Sequence, residues 1–166
     1  MLRPVNEPIK ATRCLIVDDN RGCMVLMTRI LQLLGQTEID TATDGSVAFK
    51  MMREKSYGLV ISDLHMVPWT GLDLLRRVRA NEQLRRTPFV LTTMDTDFAN
   101  VGDARESGAD VYILKPYTPQ MLREKIEPLL RRAEVRRPGP PAGEVVAPVE
   151  AAPAMPFTKT WRSAYA

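Results

Sequence analysis

Hydrophobic residues are distributed along this chain in two alternating patterns, short continuous runs and longer stretches with helical spacing. The short runs predict strands at residues 14–17, 59–62, 88–91 and 110–114, and residues 38–42, between two helices, are predicted to form a short second strand. Apolar positions three or four residues apart predict the helices, which end at Gly35, begin at Asp44, span 71–80 and 97–107, and begin near Thr118. The chain therefore consists of five successive strand and helix pairs.

The apolar composition of the predicted strands indicates which faces of the sheet are covered by helices. Strands that are apolar at nearly every position are buried on both faces, as in a parallel sheet with helices on each side. The pattern therefore predicts an α/β fold of the flavodoxin-like, doubly wound (βα)5 type, with a five-stranded parallel sheet. In the 71–80 helix we expect one face to be buried and one to be exposed: Leu72, Leu75 and Val78 inward, and Arg76, Arg77 and Arg79 outward.

Charge and proline are concentrated at the C-terminal end of the 166 residues. Residues 1–130 contain 17 Lys and Arg against 17 Asp and Glu, whereas residues 131–166 contain 6 against 3. Six of the 13 prolines lie between Pro138 and Pro156. Such a composition buries too little apolar surface to order itself. We therefore expect a folded domain at 13–132, an N-terminal extension at 1–12 and a flexible, arginine- and proline-rich tail at 133–166.

The sequence contains no signal for membrane insertion or export. No apolar run approaches the roughly 18 to 20 residues that a transmembrane helix needs, and the first ten residues lack the apolar core of a signal peptide. We expect a cytoplasmic protein. The two cysteines, Cys14 and Cys23, are then expected to be free thiols, and their sequence context assigns them neither a redox nor a metal role.

Polar residues follow four of the five predicted strands. Asp18 and Asp19 come after the first strand, Asp63 after the third, Thr93 after the fourth and Lys115 after the fifth. The carboxyl ends of parallel strands share one edge of the sheet, where ligands bind in open α/β folds. Three carboxylates together repel one another unless a hard cation lies between them, and Mg²⁺ prefers such oxygen ligands. One carboxylate could then attack a phosphoryl group and form an aspartyl phosphate, with lysine and hydroxyl groups stabilising the charge.

These segments resemble the receiver domain of bacterial response regulators of the CheY-like type. The similar motifs are Leu-Ile-Val-Asp-Asp at 15–19, Val-Ile-Ser-Asp at 60–63, Leu-Thr-Thr at 91–93 and Leu-Lys-Pro-Tyr at 114–117, and the resemblance covers about 13–132. It implies the strand order 2-1-3-4-5, which right-handed crossovers favour but do not by themselves establish.

The resemblance also implies a role for each site residue. Asp63 would be the phosphoacceptor, and Thr93 and Lys115 would contact the phosphoryl group. Mg²⁺ would be bound directly by Asp19, Asp63 and the backbone carbonyl of His65, and mainly through water by Asp18. On phosphorylation Thr93 would move inward and Tyr112 would rotate with it, which changes the face formed by the last two helices and the last strand.

Three residues near Asp63 bear on this expectation. Val67 separates Met66 from Pro68, where receivers commonly have Met-Pro, and Met94 occupies a position where the family usually has a small residue. Both departures predict slow phosphotransfer. The side chain of His65 is open to two interpretations, as a catalytic base or as an exposed loop residue whose backbone alone contributes.

The tail predicts an anionic partner. Arg131, Arg132, Arg136 and Arg137 exceed what stabilisation of a helix C-terminus explains, and paired guanidiniums bind phosphates and stack on purines. Trp161 and Arg162 could complete such a site. An arginine-rich extension of this kind is similar to that of the Cle subgroup, which implies binding of cyclic di-GMP and action at the flagellar motor. The alternatives are a protein-docking tail, an inert arm and, least favoured, nucleic-acid binding.

Together these features predict a single-domain response regulator that signals by protein contact. It would receive its phosphoryl group from a histidine kinase or another phosphodonor and act on an output protein such as a flagellar motor switch component. We expect no enzymatic activity beyond its own phosphotransfer and dephosphorylation.

Overall fold

The structure is a computed structural model that describes residues 11–94, 106 and 108–136. Most of the helix predicted at 97–107 and nearly all of the predicted tail lie outside these residues. In the part that is described, the order of the elements is the one that the apolar pattern predicts. Strand and helix boundaries differ from the predicted ones by only one or two residues at most ends.

The centre of the fold is a parallel sheet of five strands. They are β1 Cys14–Val17, β2 Ile39–Ala42, β3 Leu59–Asp63, β4 Phe89–Thr93 and β5 Val111–Leu114. Their order is β2-β1-β3-β4-β5, which confirms the predicted doubly wound fold. β1, β3 and β4 are buried at every position, as expected for strands that have helices on both faces.

Four helices are described: α1 Arg21–Leu33, α2 Gly45–Glu54, α3 Gly71–Ala80 and α4 Pro119–Arg136. Polar side chains before three of them accept hydrogen bonds from backbone amides of the first turn. These N-caps are Asn20, Asp44 and Thr70. α1 is followed by Gly35, which has a φ of 83° and therefore favours glycine. α4 continues through Pro128 to Arg136, beyond residue 132, where we expected the folded domain to end.

The two faces of the sheet carry separate hydrophobic clusters. Along β1, Leu15 and Val17 belong to the cluster under α2 and α3, whereas Cys14 and Ile16 belong to the cluster under α1 and α4. This alternation is the two-residue period of a strand. Because both sets of side chains are buried, the sheet packs against helices on both of its faces.

The buried face of α3 differs from the predicted one. Leu74, Leu75 and Val78 are buried, whereas Leu72 is only half-buried. The inward face follows the spacing 71, 74, 75, 78, which places Gly71 rather than Leu72 against the sheet. Arg79, predicted to face outward, is half-buried and donates hydrogen bonds to the carbonyls of Arg85, Thr87 and Gly108. Arg76 and Arg77 are exposed, as predicted.

Within the described ranges, no helix has the length and apolar character needed to cross a membrane.

Candidate functional site

The carboxyl ends of the strands bring Asp18, Asp63 and Lys115 into direct contact. Val17 pairs with Ser62 in neighbouring strands, so the residues that follow them, Asp18 and Asp63, lie side by side. The side chain of Lys115, directly after β5, reaches back across this edge. Its Nζ lies 2.9 Å from Oδ2 of Asp18 and 2.6 Å from Oδ1 of Asp63. Parallel register therefore assembles a site from three distant chain segments.

This ion triad is largely shielded from water. Asp18 is 5% exposed and Asp63 8% exposed, and the side chain of Lys115 is 13% exposed. Burial disfavours the charged ammonium, but hydrogen bonds and charges from Asp63 and Asp18 outweigh that effect and raise the pKa of Lys115 above its usual value. Lys115 is therefore a permanent cation, and it partly neutralises the two acids.

Backbone amides orient the other oxygen of each carboxylate. The amide of Asn20 donates to Oδ1 of Asp18, and the amide of His65 donates to Oδ2 of Asp63, both at 2.8 Å. Each carboxylate is therefore held by one backbone donor and one ammonium donor. Oδ1 of Asp63 is the oxygen that faces Lys115. The side chain of His65 is exposed.

Thr93 and Tyr112 lie on the two strands beyond Asp63. Thr93 is fully buried at the end of β4, and its carbonyl accepts a hydrogen bond of 2.7 Å from the amide of Lys115. Tyr112 lies on β5, paired with Leu91, and is half-buried against the cluster under α2 and α3. Thr93 and Tyr112 therefore lie on β4 and β5, the two strands between Asp63 and Lys115 in the sheet.

The expected convergence of three carboxylates is only partly observed. Asp19 is exposed, and the ammonium of Lys115 lies between the other two acids. Among the residues for which positions are described, no three His, Cys, Asp or Glu side chains are grouped closely enough to hold a metal ion. The ammonium of Lys115 offsets part of the charge of Asp18 and Asp63, so these two carboxylates lie together without the third acid. The hard oxygen atoms of Asp18 and Asp63 still fit a magnesium ion chemically, because they already face one shared cation.

The loop after Asp63 is held close to β4 and α3. The amide of Gly71 donates to the carbonyl of Leu64, and a Cβ at position 71 would collide with the carbonyl oxygen of Asp63. Thr70 and Asp73 form a reciprocal capping box that starts α3 at this point. Only glycine therefore allows the helix to begin directly against the residue that carries the candidate nucleophile.

Apolar side chains are exposed at the ends of two site strands. Val67 is 81% exposed in the loop after β3, and Met94 is 76% exposed after β4. Trp69 is half-buried in the same loop, with the guanidinium of Arg77 3.9 Å above its ring centroid and the ring of Phe49 6.1 Å away. Trp69 therefore covers the junction of α2 and α3.

The predicted tail site is described only at its beginning. Arg131 lies on α4 and pairs with Glu127 at 2.7 Å, and Arg132 is exposed on the same helix. Arg136 is the last residue of α4. Arg137, Trp161 and Arg162 lie outside the described residues.

Sequence reasoning missed two residues that contact the ion triad. Asn20 contributes the amide that binds Asp18, and Cys23 places its Sγ 3.9 Å from Nζ of Lys115. Both follow β1 within a few residues, in the turn and first helical turn. Their position at the carboxyl end of a site strand is the signal that could have identified them.

Comparison with known proteins agrees with this geometry. The profile of the response regulator receiver domain matches residues 14–127. The chemotaxis protein CheY of Pseudomonas aeruginosa is 35% identical over 120 residues, which are 72% of this chain and 97% of that protein.

Solved structures show the same fold. The chemotaxis response regulator CheY4 of Vibrio cholerae matches with a TM-score of 0.67 at 27% identity, over 72% of this chain and 99% of that one. The receiver domain of a sensor histidine kinase of P. aeruginosa, solved with a magnesium ion coordinated in its active site cleft, matches with a TM-score of 0.67 at 21% identity, over 73% and 98%. The site geometry, the profile match and the related sequences lead to one conclusion: this chain belongs to the response regulator receiver domain family.

Proposed function

We propose that this protein is a response regulator that accepts a phosphoryl group on Asp63 and signals through protein contacts. The observation that carries the proposal is the ammonium of Lys115 between the carboxylates of Asp63 and Asp18. A buried cation that faces one oxygen of a buried carboxylate is suited to bind a phosphoryl group attached to that oxygen. The 35% sequence identity to a chemotaxis protein, CheY of P. aeruginosa, supports the same function.

The chemistry proposed for Asp63 is a single displacement at phosphorus. Oδ1 forms the new bond, and the bond between phosphorus and the leaving group of the phosphodonor breaks. The amide of His65 holds Oδ2 and so fixes the plane of the carboxylate during attack. The ammonium of Lys115 then donates hydrogen bonds to the negatively charged phosphoryl oxygens, and the hydroxyl of Thr93 is a second donor to them.

The residues that would hold Mg²⁺ are Asp18, Asp19, Asp63 and the backbone carbonyl of His65. When bound, the ion would neutralise the negative charge that accumulates between the carboxylates and the phosphoryl group. Asp18 and Asp63 are preoriented by backbone amides, whereas Asp19 is exposed and would have to turn toward them. A related receiver with magnesium coordinated in its cleft supports this assignment.

The output would be a changed surface next to β5. Departure of the Lys115 ammonium from Asp18, together with inward movement of Thr93, would alter the environment of Tyr112 on the neighbouring strand. A histidine kinase or small phosphodonor would supply the phosphoryl group. A flagellar motor switch component is the output partner that the chemotaxis relatives suggest.

A second function, binding of cyclic di-GMP, is proposed for the arginine-rich segment that begins at the end of α4 and continues into the tail. The continuity of α4 favours it, because Arg131, Arg132 and Arg136 belong to one helix. Arg131 must give up, or share, its ion pair with Glu127 to take part. Arg137, Trp161 and Arg162 would complete the site. We retain 13–132 as the receiver and 133–166 as the tail in this proposal.

The phosphorylation proposal is tested with beryllofluoride, a stable mimic of the acyl phosphate, in the presence of Mg²⁺. We expect amide resonances near Asp63, Thr93 and Lys115 to shift in the wild type and to stay unchanged in Asp63→Asn. Asp110→Asn, which alters a carboxylate bound to Arg79 instead, is the control and should respond like the wild type. An unmoved wild-type spectrum would contradict the proposal.

The tail proposal is tested by calorimetry of the full chain with cyclic di-GMP. We expect heat of binding in the wild type and its loss in the double variant Arg136→Ala, Arg137→Ala. The exposed pair on α3, Arg76→Ala with Arg77→Ala, removes the same charge elsewhere and should leave the heat unchanged. Equal heats in all three proteins, or no heat in any, would contradict the tail site.

A further inference from the structure

α1 and α4 leave an open groove between them. It has a volume of about 530 Å³, within the range of about 300 to 1,000 Å³ that is usual for sites that take up ligands. α1 contributes Ile30, Leu33 and Leu34 to its lining, and the start of α4 contributes Pro119. Leu33 is 69% exposed although it is a large apolar residue. The groove therefore presents apolar surface that the described part of the fold leaves uncovered.

The charged residues along this groove give it a net negative charge. Glu124 and Glu127 line it together with Arg123. Glu127 pairs with Arg123 at 3.3 Å and with Arg131 at 2.7 Å. Glu124 is exposed and accepts a hydrogen bond from the neutral amide of Gln120, so among the described residues it forms no ion pair. The groove therefore fits a partner that brings both apolar groups and a positive charge.

One segment of this chain has that combination of residues. Phe157, Trp161 and Tyr165 are three of the ten aromatic residues, and no aromatic residue lies between 118 and 156. Their spacing of four residues would place them on one face of a helix. The same segment contains Lys159 and Arg162 and no acid. A helix this short is marginal in water by itself, so its aromatic face needs an apolar surface to pack on.

We propose that residues 157–165 dock in the groove between α1 and α4 of the same molecule. The aromatic face packs against Leu33, Leu34 and Pro119, in the way that an amphipathic helix fills an apolar groove. A cation of the segment pairs with Glu124. The inference goes beyond the proposed function, because it depends neither on phosphorylation nor on a nucleotide.

The chain between α4 and this segment is long enough to reach the groove. α4 ends at Arg136, and its groove residues lie about 14 to 26 Å back along the helix, at a rise of about 1.5 Å per residue. Residues 137–156 can span up to about 66 Å when extended. A short tether gives an effective concentration on the order of 1 mM, so a dissociation constant of about 0.1 mM would keep the segment docked about nine-tenths of the time. The groove therefore needs only a weak affinity.

The first test uses the fluorescence of Trp161. Trp69→Phe leaves Trp161 as the only tryptophan of the full chain, and acrylamide quenching then measures how far solvent reaches its ring. We expect Trp161 to be protected in this protein. We expect the added substitution Leu33→Lys, which places a cation in the groove, to raise the quenching constant several-fold. Because the contact is intramolecular, the protection should not change on dilution.

Val25→Lys is the matched control for Leu33→Lys. Val25 lines a different groove, beside Thr41 of β2, and is 70% exposed, so the control adds the same charge at an equally exposed position of the same helix. It should leave Trp161 protected. Full accessibility of Trp161 in Trp69→Phe, or equal quenching in the two lysine variants, would overturn the proposal. Protection that is lost on dilution would also overturn it, because the groove would then bind a second copy of the chain.

The ion pair is tested in the same way. Glu124→Lys should raise the quenching of Trp161, because it replaces the proposed partner of the segment by a like charge. Glu82→Lys changes an exposed acid that follows α3 and should have no such effect. Equal quenching in these two variants would contradict the docked position.

The second test retains Trp69. Amide spectra of the full-length wild type and of Trp161→Ala are compared, and we expect the resonances of Leu33 and Glu124 to shift. Val146→Ala, which changes an apolar residue of the tail outside 157–165, should leave them in place. Unmoved groove resonances in Trp161→Ala, or the same shifts in Val146→Ala, would show that the segment does not occupy the groove.

These measurements contain neither phosphodonor nor cyclic di-GMP, so their outcome is separate from the tests of the proposed function. Trp161 and Arg162 are also assigned to the proposed cyclic di-GMP site, and they cannot occupy both places at once. Docking in the groove therefore competes with that ligand.

Discussion

The ammonium nitrogen of Lys115 lies 2.6 Å from Oδ1 of Asp63, although 52 positions separate the two residues in the chain. The contact exists because β3, β4 and β5 are parallel neighbours whose carboxyl ends share one edge. It places a permanent cation against the oxygen proposed to attack phosphorus. The same ammonium also competes with any metal ion for Asp18 and Asp63.

Replacement of Lys115 by Met should therefore tighten Mg²⁺ binding. The variant leaves two buried carboxylates without their cation, and we expect the dissociation constant for Mg²⁺ to fall by about tenfold or more. Magnesium titration followed by amide resonances at pH 7 measures this change. Lys55→Met removes a lysine from a more exposed pair and should leave the affinity unchanged. Weaker binding by Lys115→Met would mean that the ammonium does not compete with the metal.

Replacement of Gly71 by Ala should disturb the protein at Asp63. The new Cβ would meet the carbonyl oxygen of Asp63 and a methyl group of Leu91 at less than contact distance. We expect the free energy of unfolding to fall by about 1 to 3 kcal/mol, the range for overpacking. Urea unfolding measures this loss.

The control for that variant is Gly22→Ala. At position 22 a Cβ meets only the side-chain oxygen of Asn20, at 3.1 Å. Ala also favours a helix over Gly, so we expect little loss or a small gain in the free energy of unfolding. If Gly71→Ala unfolds at the same urea concentration as Gly22→Ala, the close approach of α3 to Asp63 is not as described.

Arg79 should be more important for stability than its predicted outward position on α3 suggests. Its guanidinium donates to the carbonyls of Arg85, Thr87 and Gly108 and pairs with Asp110 at 2.9 Å. These contacts join the end of α3 to the segments that precede β4 and β5. We expect Arg79→Ala to lower the free energy of unfolding by about 2 to 3 kcal/mol, because several acceptors lose their partner.

The exposed neighbour Arg76 is the matched control for Arg79. Thermal and urea unfolding of Arg76→Ala should agree with the wild type to within about 0.5 kcal/mol. Comparable losses in the two variants would show that the network at Arg79 contributes no specific stability. Arg79→Lys should recover only part of the loss, since an ammonium cannot reproduce the guanidinium geometry.

The capping box of α3 predicts a pH-dependent effect. Hydrogen bonds from the side chain and amide of Thr70 lower the pKa of Asp73 below its usual value. The associated stability is therefore present above about pH 4, the pKa of an unfolded Asp, and is lost as pH falls through the lower pKa of the folded protein. Thr70→Ala should cost about 1 kcal/mol at pH 7, and the difference from the wild type should shrink in acid.

Urea unfolding of both proteins at pH 7 and near pH 3 measures that change. Thr118→Ala is the control, because Thr118 accepts a hydrogen bond from the amide of Met121 at the start of α4. Its loss of stability should not depend on pH in the same way. A cost of Thr70→Ala that stays constant with pH would contradict the coupling between Thr70 and Asp73.

Much of this protein follows from local pattern. Nearly solid apolar runs identify β1, β3 and β4, which are buried at every position, and helical spacing identifies α1 to α4. The polar residues at the strand ends follow directly, as does Asp44, whose type and position mark the start of α2. The resemblance to receivers added the strand order, which the pattern alone left open.

Only the tertiary structure decided which atoms share one cation. Periodicity made Leu72 an inward residue, yet the packing of α3 on the sheet chose Leu74 and brought Gly71 against Asp63. Strand composition suggested three converging acids, yet Asp19 is exposed and Lys115 bridges Asp18 and Asp63. Cys23 gained its place beside Lys115 in the same way. These contacts join residues that are far apart in sequence, and they form only after the parallel register has brought the strand ends together. Local residue types therefore do not determine them.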